Sequence, residues 1–174
     1  IIIVATLVMM NVQKNAYTGI IDHYVETNTL IADCRIEYNI AARNLRDVAL
    51  SGNTTALATV NSKLEELSGT MAAMESAYPK ELSDRSLLNA FVNTLNTWTA
   101  EAKQIAEVVK TDRNRAADMI VSECTPALDA AAAAGTALAE HLKTEQGRII
   151  SQQNMTSTIA IFVIIGVMFV ATLI

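Results

Sequence analysis

The chain has 174 residues, a formal net charge of −5, 51% hydrophobic and 18% charged residues. This length suggests one domain. Only 2 prolines and 6 glycines punctuate it, which excludes β-sandwiches and barrels, whose turns recur every 8–12 positions. The apolar content excludes disorder, and the acidic balance excludes a nucleic-acid partner, which calls for a basic excess.

Residues 1–12 carry no charge, and neither do residues 158–174. The 13 basic and 18 acidic residues all lie from Lys14 to Arg148. A membrane-spanning helix needs about 20 apolar residues. The two greasy runs are therefore expected to be the end of a first membrane helix (1–12) and the start of a second (158–174). Residues 13–157 are expected to form a domain outside the membrane. A signal peptide needs a basic leading region and a small-residue cleavage site, and neither is visible at 1–12.

Between the ends, helical spacing dominates. An unbroken seven-residue repeat runs through Tyr17, Ile20, Tyr24, Thr27, Ile31, Cys34, Tyr38, Ala41, Leu45 and Val48. Ser51, Gly52 and Asn53 stop this first helix, and Thr54 is a plausible N-cap for the next. A second helix over 55–77 has Leu57, Val60, Leu64, Leu67, Met71 and Met74 as its seam. Tyr78 precedes Pro79 and ends it, because proline disfavours helix at the residue before it. Ser83 or Asp84 caps a third helix, with Leu88, Phe91, Leu95, Trp98, Ala102, Ile105 and Val109 inward. After a break near Thr111 and Asp112, a fourth helix has the seam Val121, Cys124, Leu128, Ala131, Gly135, Leu138, Leu142 and Ile149. It continues into the second apolar run. Pro126 lies inside it and should kink it.

Sustained heptads pack helices at small crossing angles. The expected fold class is all-α: an antiparallel up-down-up-down four-helix bundle flanked by two membrane helices. Both spans then leave from one end, and the breaks at 51–54 and 111–113 form the far tip. Counting ~1.5 Å of rise per residue puts Arg43, Glu65, Trp98 and Thr125 with Pro126 near one level. The same count puts Cys34 and Cys124 about 16 Å apart, too far for an internal disulfide. They read as small buried hydrophobes.

Arg35, Asn39, Arg43 and Arg46 recur along one ridge of the first helix. Arginine holds carboxylates bidentately, so this ridge is an anion-seeking surface or a solvated face. Trp98 occupies a core position, where it either fills the interior or walls a pocket. Asn89, Asn93 and Asn96 make a polar stripe that faces water or a pocket. The small residues at 69–73 and 130–135 mean close helix approach or a cavity. His23, His141 and Glu145 are too few for a metal site, and no catalytic set or phosphate loop stands in a credible context. Neither enzymatic activity nor a cofactor is expected.

The pattern resembles the periplasmic four-helix-bundle sensor of methyl-accepting chemotaxis proteins. The residues that carry the resemblance are Cys34 with Arg35, the text ARNLRDVALSG at 42–52, and CTPALDAAAAAGTAL at 124–138. The resemblance implies a homodimeric, membrane-embedded receptor of a bacterial inner membrane. Its bundle would detect a small-molecule chemoeffector, directly or through a periplasmic binding protein. In the family's amino-acid receptors, helix-one arginines and groups around a helix-four proline hold the ligand at the dimer interface. Arg43 matches the arginine of the family's Arg-Asn pair, and Thr125 and Pro126 match the helix-four region. The implied ligand-binding set is Arg43, Arg35, Asn39, Arg46, Trp98 and Thr125. Further arginines of the aspartate-type pattern would fall near Val48 and Gly52, and the family's Pro-Thr order is reversed here, so amino-acid specificity is not implied. The same sensor on a histidine kinase or cyclase, and a structural bundle with no small ligand, are the alternatives.

Overall fold

The computed structural model describes the backbone of residues 2–172 and the side chains of residues 11–165, apart from 13, 14 and 16. The described residues are helical throughout, with short connections and no strand. Helix α1 spans Ile2–Ser51, α2 Ala56–Ala77, α3 Ser86–Val108 and α4 Arg113–Met119. A single π-helical turn, Ile120–Cys124, joins α4 to α5, Thr125–Thr172. The short α4, the π turn and α5 together form the fourth arm of the bundle.

The ends of each arm show the up-down-up-down order. At the tip, Arg113 opens α4 and donates from Nη2 to the Leu50 carbonyl at 2.7 Å and from Nε to the Ala49 carbonyl at 3.4 Å. These are carbonyls that the end of α1 leaves without helical partners. Gly52 follows with φ of +75°, and its N–H returns to the Val48 carbonyl at 3.0 Å. This left-handed residue ends α1 and leaves room for the Arg113 guanidinium. At the opposite end, the buried Thr27 hydroxyl donates to the His23 carbonyl at 2.8 Å and lies 3.2 Å from the Ala77 carbonyl. The turn between α2 and α3 is therefore fixed at the base of α1. Within that turn Tyr78 donates to the Asp84 carbonyl at 3.0 Å, and the Arg85 guanidinium stacks 5.0 Å from the Tyr78 ring centre.

The core follows the heptad seams. Tyr24, Ile31, Cys34, Tyr38, Ala41, Leu45 and Val48 of α1 are buried, as are all the expected seam residues of α3. Val60, Leu64, Leu67, Met71 and Met74 of α2 join them. Each large side chain so buried contributes about 1.5–3 kcal/mol of hydrophobic stabilisation. Gly135 is buried where the Phe91 ring crosses it; a Cβ there would lie 2.8 Å from the ring. The small residues of 130–135 thus include a point of close approach, whereas Gly69 has open space around it.

Two local expectations need correction. Neither Thr54 nor Thr55 caps α2 with its side chain; the Asn53 carboxamide accepts from the Thr55 N–H at 3.3 Å and from its hydroxyl at 2.5 Å. Val121 is not a seam residue: it is 74% exposed, and Ile120 is buried instead. The π turn is the reason. It takes up one extra residue, so the inward positions of α4 and α5 are out of step by one, and a single heptad cannot run through both.

Among the described residues, no helix is long and apolar enough to cross a membrane. The expected membrane segments thus gain no support from them. The side chains of 1–10 and 166–174 lie outside the described residues. In the described stretch beyond the bundle, Met155, Ile159, Ile161, Phe162, Val163 and Ile165 of α5 are all exposed.

Candidate functional site on the outer face of the first helix

Helix α1 has a second seam that runs opposite its core seam. Asp22, Val25, Thr29, Ala32, Ile36, Asn39, Arg43, Arg46 and Leu50 alternate in steps of three and four, and every one is exposed. This spacing keeps them on one stripe of the helix. Apolar residues fill several positions of the stripe, with Ile36 57% and Leu50 68% exposed. The arginines occupy consecutive positions just below the tip. The anion-seeking ridge is legible in the sequence as a cluster of cations, and in the fold it belongs to a complete outward seam. The signal was present as a second 3–4 repeat, obscured by its mixed polar and apolar content.

The structure separates the expected site residues into three groups. Asn39, Arg43 and Arg46 are exposed together on the outward stripe. Arg43 has no hydrogen bond or ion pair among the described residues, not even with Asp47 one turn on. Asn39 donates its amide to the Arg35 carbonyl at 2.7 Å. Arg35 belongs to the flank: it is half-buried and donates from Nη2 to the Thr136 hydroxyl of α5 at 2.5 Å. Its Nε is buried without a partner. Arg35 therefore ties α1 to α5 and still has a donor to spare.

Trp98 lies inside the bundle and Thr125 is half-buried, and neither has a hydrogen bond to the arginines among the described residues. Trp98 is fully buried, with its ring centre 6.0 Å from that of Tyr38 and the planes at 60°. Its indole Nε1 is buried without a hydrogen-bond partner, but it lies beside Cys124. Burial raises the Cys124 thiol pKa, the Trp98 N–H and Arg46 oppose that rise, and Glu101 adds to it. Thr125 donates its hydroxyl to the Ile120 carbonyl at 2.8 Å, five residues back. The Thr125 N–H points to the same carbonyl, so its side chain serves the π turn. Tyr38, Trp98 and Cys124 share one region of the bundle, with Arg46 near enough to act on the Cys124 thiol.

Neighbouring buried groups are shifted by the same low-dielectric interior. Burial pushes the Cys34 thiol up to about 12, helped by Glu37 and Asp33, so it is inert as a nucleophile at neutral pH. Cys34 and Cys124 are both free and buried. Burial also raises Glu101, with Glu123 on the π turn adding like-charge repulsion. Glu101 Oε2 has no partner.

Asn89, Asn93 and Asn96 face outward, and Asn93 borders a shallow hollow of 160 Å³ with Thr94, Thr97, Ala127 and Ala130. His23 faces Glu26 at 3.9 Å. No group of three or more His, Cys, Asp or Glu suited to a metal ion occurs among the described residues.

Comparison with protein-family models, curated proteins and solved structures returns no match.

Proposed function

We propose that this chain is the ligand-sensing module of a dimeric transmembrane receptor, of the kind found on bacterial chemoreceptors. The observation that carries the reading is the outward seam of α1, in which arginines without acidic partners interrupt a stripe otherwise suited to a second helix. A second copy of the chain packs along this stripe. Packing places Arg43 and Arg46 of both copies near one another, and like charges brought together need an anion between them. A small carboxylate ligand supplies that charge and holds the dimer in one arrangement. Docking of a periplasmic binding protein at the tip is the indirect route to the same output.

The bundle sits outside the membrane of a bacterial cell, anchored by the apolar segments at 1–12 and 158–174. The exposed apolar side chains at the end of α5 support this, since a collar of that kind is covered by lipid or by another protein. Arms one and four leave the bundle at the same end, so a shift between them passes directly to the anchors. Helix displacements of ~1–2 Å are sufficient at such interfaces. A ligand drives the shift only through its different affinity for the two arrangements.

A thermal-shift screen of the full chain against small organic acids tests the reading. At least one mono- or dicarboxylate raises the melting temperature of the parent chain, and Arg43→Ala removes the rise without lowering the ligand-free melting temperature. A screen in which no carboxylate shifts melting, or in which Arg43→Ala responds as the parent does, removes the ligand site.

A further inference from the structure

Helices α2 and α3 touch only lightly along their lengths. There they leave an open groove of 520 Å³, lined by Asn61, Leu64, Glu65 and Ser68 of α2 and by Lys103 and Glu107 of α3. That volume is within the range of small-molecule sites. Glu107 is engaged with Lys110 at 2.7 Å. Glu65 and Lys103 have no hydrogen bond or ion pair among the described residues, although they face one groove from opposite walls. Leu64 gives the groove a buried apolar floor. Ser68 and Asn61 place neutral hydrogen-bonding groups on either side of Glu65. Thr99, one helical turn before Lys103 and on the same face of α3, is buried with an unpartnered hydroxyl.

We propose that this groove is a ligand site for a small zwitterion carrying an amine and a carboxylate. A carboxylate on one wall and an ammonium on the other satisfy a molecule that brings the opposite charges. The amine of the ligand lies against Glu65, and its carboxylate lies against Lys103. A simple anion meets two carboxylates in the same groove, Glu65 and Glu107, and a simple amine meets Lys103, so single-charge ligands are disfavoured. The site lies between α2 and α3, away from the outward seam of α1, and stands whether or not the arginines bind an anion.

Calorimetric titration of the full chain tests it, with glycine, glutamine, β-alanine and γ-aminobutyrate as probes and ethylamine as the single-charge control. At least one zwitterion binds, and ethylamine binds at least about tenfold more weakly. Lys103→Gln and Glu65→Gln each weaken the zwitterion about tenfold or more, the equivalent of losing one charge-assisted contact. The exchanged pair Glu65→Lys with Lys103→Glu retains binding, because a zwitterion can reverse its orientation. Absence of binding by all four zwitterions overturns the proposal. So does binding that survives Lys103→Gln or Glu65→Gln unchanged. Glu65 and Lys103 are solvent-facing or nearly so, and unchanged melting temperatures in both single variants separate lost binding from lost fold.

Discussion

At Gly135 and Gly69 the same substitution has opposite consequences. Both glycines lie inside helices, where alanine is favoured by roughly 0.5–1 kcal/mol. At Gly69 nothing is within reach of an added Cβ, so Gly69→Ala stabilises by about that amount. At Gly135 the methyl meets the buried Phe91 ring at 2.8 Å, and overpacking costs about 1–3 kcal/mol, so Gly135→Ala is neutral or destabilising. Urea denaturation of the two variants beside the parent chain checks both signs. Glu101 gives a pH-dependent case. Its carboxyl is raised by burial and by Glu123, so the folded chain holds its proton more tightly than the unfolded chain does. Stability from this group is therefore lost as pH rises through the raised value and is recovered on acidification. Glu101→Gln removes the charge, so the variant melts above the parent at neutral pH. That difference shrinks toward zero below about pH 3, where the carboxyl is protonated in both states. A difference that grows on acidification would show that the Glu101 carboxylate is stabilised in the fold.

The elements show how far a heptad pattern can be trusted. The seams of α1, α2 and α3 were legible because each runs uninterrupted between clear stops at Gly52, Pro79 and Asp112. Asp112 accepts the Arg115 N–H at 3.0 Å and caps α4 in the ordinary way. The fourth arm was legible only in part. Pro126 announced a disturbance, but whether it would be a kink or a π turn depends on tertiary packing that no local pattern encodes. The misplacement of Val121 follows from this. Deleting Val121 removes the extra residue of the π turn and restores a continuous α-helix, with the inward faces on both sides still aligned. We expect that deletion to leave the melting temperature within a few degrees of the parent value. Deleting Ala133, an exposed residue in regular α5, rotates the remainder of the arm by about 100° and should unfold the bundle. Circular dichroism melts of the two deletions distinguish these outcomes. Equal damage from both would mean that the turn is not a one-residue insertion. The candidate site shows the same limit. The arginine ridge was legible because cations were concentrated on one helix face. The groove of Glu65 and Lys103 was not, because two single charges on different helices have no joint signature until the helices are placed side by side.

For the whole molecule, four arms carry one core, with the α2–α3 turn and the departing ends of arms one and four at the base and Arg113 fastening α1 to α4 at the tip. The outward seam of α1 remains free of this core along its length. The proposed function assigns that seam to a second copy and its arginines to an anion that the two copies share. Binding to the dimer alone stabilises the dimer by mass action, so ligand and assembly are linked. Sedimentation of the full chain in detergent, with and without a series of small carboxylates such as acetate, succinate, malate and citrate, measures that linkage directly. The account predicts that at least one of them shifts the parent chain from monomer toward dimer, and that none does so for Arg43→Ala. A monomer–dimer distribution indifferent to every carboxylate, or a shift that persists in Arg43→Ala, would contradict it.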